Sequence, residues 1–201
     1  MSDRTATAST MTAPRWHGLG SLPAVVAGLT FFSALQMALI AFGNITDFDT
    51  TLAFVEGVLG METTNFGGTS GEGLDPDVMW HAMSNPTLQV IGYIVIIIWE
   101  TLAALVLIAA VVQWIRERGR GYTSARALTS IGLLMILILF VGGFIVVGGE
   151  WFQMWRSTTW NGLDSALRYS LLALLPLVLV HLPSAHWRTV SAPDASEPSV
   201  P

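Results

Sequence analysis

The chain contains no cysteine. Disulfides, thiolate metal centres and thiol nucleophiles are therefore excluded. It contains no lysine either, so all nine positive side chains are arginines. Charge of any kind is scarce: 11% of the 201 residues are charged, against 52% hydrophobic, and the net charge is −5. A soluble domain carries about 25% charged residues, so this balance points to a membrane, and the acidic sum argues against nucleic acid as a partner. The apolar runs lack the alternation that a transmembrane β-barrel needs. There is also no internal repeat, so an inverted duplication is not expected.

Four apolar runs are present instead, at residues 22–42, 88–114, 128–147 and 165–182. About 20 apolar residues cover about 30 Å of hydrocarbon as a helix. The expected fold is all-α: a four-helix transmembrane bundle with a short helical outer loop between the first two helices. The first run is longer than the apolar part of a cleaved leader, although Ala41-Phe42-Gly43 would serve as a cleavage site. The fourth run is the weakest, with Arg168 near its start and Pro176 in its middle. An arginine can snorkel to the interface, and proline is tolerated in membrane helices. Arginine placement sets the orientation. Arg4, Arg15, Arg116, Arg118, Arg120, Arg126 and Arg188 fall on one side, and only Arg156 and Arg168 on the other. The tails (1–21 and 183–201, expected to be disordered) and the second loop are thus expected in the cytoplasm. Trp16, Trp114 and Trp187 then mark the inner boundary, and Trp80, Trp151, Trp155 and Trp160 the outer one.

The outer loop, residues 43–87, is the only sizeable extramembrane piece. Leu52, Val55 and Leu59 recur at helical spacing, which predicts a short amphipathic helix over 50–59. The glycine-rich stretch 65–73 predicts a mobile loop. Asp75-Pro76 and Asn85-Pro86 each read as a helix cap followed by proline at the first helical position. Seven acids lie here: Asp47, Asp49, Glu56, Glu62, Glu72, Asp75 and Asp77. Asp77 and His81, at i and i+4, are weak candidates for sharing a metal ion. Caps, turns and the charge bias of the membrane explain the acids better, so neither a metal nor a cofactor is expected. Asn44-Ile45-Thr46 also matches a glycosylation acceptor, which matters only in a eukaryotic secretory host.

Glu100 is the most unusual residue. Counting from Leu88 at about 1.5 Å per residue places it about 18 Å below the outer boundary, near the midplane. An ionised carboxylate there costs at least about 2.5–3.5 kcal/mol. Ala103, Ala104 and Leu107 share its face, and small residues beside a polar one mark a helix contact. Glu100 is therefore expected inside the bundle, in a polar cluster with Gln36 and Arg168. Its role is either a proton or cation relay or a packing carboxyl. In the third run, Gly142 and Gly149 are seven apart, which in an α-helix puts them on one face as a packing seam. Glu150 is placed to pair with Arg156 or Arg168, and Trp151 and Trp155 to anchor the outer end.

Several of these segments resemble a known pattern. Phe42-Gly43-Asn44-Ile45-Thr46-Asp47-Phe48 is one; Ala53-Phe54-Val55 and Val58-Leu59 with Met61-Glu62-Thr63-Thr64 follow it. Trp99-Glu100, the stretch from Phe144 through Gly148-Gly149-Glu150-Trp151-Phe152, Met154-Trp155 and Trp160-Asn161-Gly162 complete it. Together they resemble the bacterial family of predicted small integral membrane proteins catalogued as domain of unknown function 2165, over about 23–182. The resemblance implies a four-span inner-membrane protein and names no reaction. It draws attention to Asn44, Asp47, Glu100, Glu150 and Trp151 as matched positions.

Three functional classes stand at this point. The first is a non-enzymatic accessory or scaffold bundle, embedded in lipid and partnered by a second copy or a larger membrane complex. The second is a small oligomeric transporter or proton-linked channel using Glu100. The third is a quinone- or lipid-binding protein. No nucleophile–base pair is evident, and only His181 lies near a span, which leaves intramembrane haem ligation without a second histidine.

Overall fold

The structure is a computed structural model that describes residues 19–118 and 120–187. It is all-helical, and four helices are long and apolar enough to cross a membrane. Helix α1 spans Leu22–Thr46, α2 Phe48–Gly60, α3 Pro86–Arg116, α4 Thr123–Leu137 and α5 Leu163–His181. Beyond Leu137, α4 continues without a break as a π-helix over Ile138–Trp151. Most of the two expected tails lies outside the described residues. Of the C-terminal one, Ala185–Trp187 forms a helical turn rather than a disordered segment, and the Trp187 indole donates to the Leu182 carbonyl at 2.7 Å.

The caps follow the residue types. Pro86 opens α3 without wasting an N–H, and the Asn85 carboxamide accepts from the Thr87 and Leu88 amides at 3.0 and 3.3 Å. Asp75 accepts from the Asp77 amide at 3.1 Å and starts a turn leading to Met79–His81. In the fourth span, Pro176 is fully buried inside α5.

The four spans form a ring in which each packs on its chain neighbour and α5 closes on α1. Small residues line the seams: Ala34 of α1, Ala103 and Ala104 of α3, and Ala166 and Ala173 of α5 are all buried in one core. Without a hydrophobic drive between helices in lipid, close approach over small residues supplies the van der Waals contact. Between α3 and α4 the approach is close at Gly132, where a Cβ would stand 2.5 Å from Leu107 Cγ.

Two polar rungs fix the pairing of α1 with α3. At one end the Trp114 indole donates to the Thr129 hydroxyl at 2.9 Å, and Thr129 lies 3.4 Å from the Thr30 hydroxyl. Trp114, two residues from the end of α3, is buried inside the bundle. At the other end Asn44 meets Glu100. From Thr30 to Asn44 and from Trp114 back to Glu100 the separation is fourteen residues in each helix, so the antiparallel register is constant. One consequence is that α1 ends near the level of Glu100, while α3 extends a further fourteen residues to Pro86, about 21 Å. Helix α2 packs against this overhang, while the π-helical stretch packs on α5.

The π-helix overturns one reading of the glycines. With i→i+5 bonding, seen where the Phe152 amide donates to the Val147 carbonyl at 3.0 Å, each turn holds more residues than in an α-helix. Residues seven apart then leave the common face. Gly148 and Gly149 are buried, against Met154 and Leu163, whereas a Cβ at Gly142 would meet nothing within 4 Å. The seam consists of the adjacent pair Gly148-Gly149 together with Gly132, not of Gly142 and Gly149.

Replacing Gly132 with valine should force α3 and α4 apart at Leu107. The expected loss is about 1–3 kcal/mol, read as a lower unfolding temperature in detergent. The same change at Gly142 should leave that temperature nearly unaltered.

Candidate functional site: a carboxyl clasped at a helix break

Glu100 is 2% exposed and points into the bundle together with Ala103, Ala104 and Leu107. Its partner is Asn44, whose Nδ2 donates to Glu100 Oε2 at 2.8 Å. The Asn44 carboxamide oxygen in turn accepts from the Thr51 hydroxyl at 3.1 Å, and the Asn44 main-chain carbonyl accepts from the Tyr93 hydroxyl at 3.0 Å. Three helices thus converge on one residue: Asn44 sits two positions from the end of α1, Thr51 in the first turn of α2, and Tyr93 and Glu100 seven apart on one face of α3. The last carbonyls of a helix need outside donors, and Tyr93 supplies one. Phe48 packs on the Tyr93 ring at 4.8 Å.

The cluster expected from sequence is not the one that forms. Gln36 is half-buried on α1 beside Phe32, Leu35, Leu39 and Ile40, two turns from Asn44 and away from Glu100. Arg168 pairs with Asp164 in its own helix, with both side chains more than 70% exposed. An i,i+4 partner costs almost no ordering, so it wins over a distant buried carboxyl. Depth was the misleading quantity: measured from the edge of its own apolar run, Glu100 reads as central, yet it stands level with the end of α1. Asn44 was legible only as a motif position. The seven-residue spacing of Tyr93 and Glu100 was the available signal for the rest. With its carboxamide engaged on both sides, Asn44 is also unavailable as a glycosylation acceptor.

The remaining named residues lie on the face bearing the two longer loops. Asp47 joins α1 to α2, and its amide donates to the Gly43 carbonyl at 2.8 Å. Glu150 is exposed and takes part in neither of the two ion pairs among the described residues, because Arg156 is held by Asp75 at 2.9 Å and Arg168 by Asp164. Trp151 stacks on His81 at 4.3 Å, and its carbonyl lies 2.6 Å from His81 Nδ1. This places the histidine in an aromatic stack with Trp80, not beside Asp77, which is exposed. No group of three or more histidines and acids that could hold a metal occurs among the described residues. Trp155 packs edge-on to Phe66 at 5.8 Å, with the Arg156 guanidinium 5.2 Å over its ring.

The glycine-rich stretch is folded on itself. Asn65 Nδ2 donates to the carbonyls of Thr69 and Glu72 at 2.6 and 2.9 Å. The Phe66 amide donates to the Arg156 carbonyl at 3.0 Å, and Thr63 and Ser157 share a hydroxyl bond of 2.7 Å. These contacts stitch the two loops together, with the Arg156–Asp75 pair at their centre.

Beneath α2 lies a cavity of about 200 Å³ walled by apolar residues, among them Phe54, Val58, Ile96, Leu139, Gly143 and Phe144. Gly143 leaves its wall open, since the nearest side-chain atom to a Cβ there is Leu139 Cδ1 at 3.9 Å. Glu100 does not line it.

A bundle of four apolar helices around a clasped carboxyl, with its longer loops folded over one end, defines a small integral membrane protein. The chain belongs to the family described as predicted small integral membrane protein (DUF2165), which it matches over residues 23–183, nearly the whole of the bundle. No curated protein and no solved structure matches it.

Asn44→Ala removes the donor to Glu100 and should cost about 1–3 kcal/mol, whereas Glu100→Gln keeps an acceptor and should cost less. A double-mutant cycle on detergent unfolding should show coupling between the two positions. At the loops, the Arg156 guanidinium and the Asp77 amide, both donating to Asp75, hold its carboxyl below its ordinary value of 3.8. A depressed carboxyl stabilises the folded form above its unfolded pKa and loses that contribution as pH falls through the folded one. Tryptophan fluorescence should therefore report loosening of the stitched loops only below about pH 4. Asp75→Asn should abolish that acid transition.

Proposed function

We propose that this chain is a non-enzymatic accessory bundle of a bacterial inner membrane, assembling with a second copy of itself or with a larger membrane complex. The observation that carries this reading is the closure of Glu100. Glu100, inside α3, is buried, bonded to Asn44, and spent on holding three helices together. A relay needs a path for protons or ions to its carboxyl, and neither the cavity beneath α2 nor the groove beside Gln36 is lined by Glu100. The chemistry left to the molecule is on its surfaces: apolar helix faces, interfacial tryptophans and the stitched loops. The arginine bias supports an orientation with both termini and the α3–α4 turn in the cytoplasm.

A second reading is favoured by a specific observation. The cavity beneath α2 is walled almost wholly by apolar residues and is open on one side, which suits an apolar guest. It suits the aliphatic tail of a quinone or lipid.

The deciding experiment is extraction of the full chain in mild detergent, followed by mass determination in solution. A defined homo-oligomer or a fixed-stoichiometry complex is expected. A monomer without protein partner sinks the accessory reading. Reconstituted vesicles separate it from transport: Glu100→Gln should assemble normally and change no proton or cation flux. A flux present in the natural chain and lost in this variant would establish the relay instead.

A further inference from the structure

The opposite end of the bundle, where α3 turns into α4, holds a second feature. The chain reverses through Gly121 and Tyr122, both at positive φ. This turn lays the Tyr122 ring 5.0 Å from Trp114, with Trp187 6.2 Å from Tyr122. Arg126 is locked beside this aromatic floor, its Nε donating to the Val180 carbonyl at 3.1 Å and its guanidinium 4.7 Å over Trp187. Glu117, the only acid of the turn, is likewise occupied: its carboxylate accepts from the Ser124 and Ala125 amides at 3.1 and 3.2 Å.

Next to this floor, between the start of α1 and the end of α3, runs a groove of about 760 Å³. Its stem is apolar, walled by Pro23, Ala24, Ala27, Val111 and Ile115, and its mouth carries Arg118, Tyr122 and His186. Arg118 belongs to neither ion pair among the described residues; both of those lie at the far end of the bundle.

We propose that this groove binds an anionic glycerophospholipid, with the phosphate at Arg118 and one acyl chain along α1 and α3. The division of the groove matches the molecule. A small-residue stem in the span accommodates hydrocarbon, and a guanidinium at the end of the span meets phosphate with two parallel donors. Basic pockets between membrane helices are used for such headgroups. Among the described residues no acid lines the groove to receive the ammonium of a zwitterionic lipid, and Glu117 is already capping α4. This site is separate from the Glu100 clasp and does not depend on the accessory reading.

The test uses the full chain in detergent, with native mass spectrometry and thermal unfolding in the presence of phosphatidylglycerol, phosphatidylcholine or inorganic phosphate. Phosphatidylglycerol should bind and stabilise in preference to the other two. Arg118→Ala should weaken its binding about fivefold, and Arg120→Ala, two positions further on and outside the lining, should not. Ala24→Phe, which fills the stem and keeps every charge, should remove the preference. Equal losses in the two arginine variants would mean diffuse attraction to a basic surface and would overturn the site. So would a preference that survives Ala24→Phe, or stabilisation by inorganic phosphate equal to that by the lipid. If Ala24→Phe does not fold, judged by helix content and elution, the arginine comparison decides alone.

Discussion

The contact between Asn44 and Glu100 sets the register on which the rest of this bundle depends. Apolar helices slide past one another at small cost, because one layer of leucine and isoleucine resembles the next and lipid is as apolar as either. A hydrogen bond formed away from water does not slide, since losing it leaves a buried polar group unpaired. With the Thr30–Thr129–Trp114 rung at the other end, it holds α1 and α3 at two points fourteen residues apart. Fixing that pair fixes where α1 must stop, and so where α2 begins. The overhang of α3 that results gives α2 a surface to pack on, with the cavity between α2 and the π-helical stretch.

Much of the architecture was legible because hydrocarbon thickness is an unforgiving constraint. Each of the four runs became a spanning helix, and the weak fourth run did so with Pro176 buried in its middle. Asn85-Pro86 and Asp75-Pro76 marked real helix and turn starts, since caps are decided by local bonding. The amphipathic helix expected at 50–59 is α2, longer by two residues at its start and one at its end.

What was not legible depended on relations between helices. The depth of Glu100 was measured along its own run, on the tacit assumption that all spans share one outer plane. They do not, and Gln36 and Arg168 were therefore compared at the wrong levels. The glycine spacing failed for another reason: a π-helix has no compositional mark, and it rotates Gly142 away from the face that Gly149 shares with Leu163. The stretch at 65–73 reads as a flexible linker by composition, but a single asparagine carboxamide closes it. Composition describes the average behaviour of such a stretch, and one side chain reaching two carbonyls departs from the average.

The unequal lengths of the spans carry a consequence for the surrounding lipid. At 1.5 Å per residue, α3 with 31 residues is about 46 Å long, and α5 with 19 residues about 28 Å. The two lie on different sides of the ring, and exposed leucine and isoleucine line α3 from Leu88 to Ile115. One flank of the protein thus asks for a thicker hydrocarbon layer than the other. A bilayer answers such mismatch by tilting the protein, or by stretching on one side and thinning on the other. The bundle acts on its membrane as a wedge, so the thickness of the bilayer itself becomes a variable that biases how the molecule stands and which neighbours it meets.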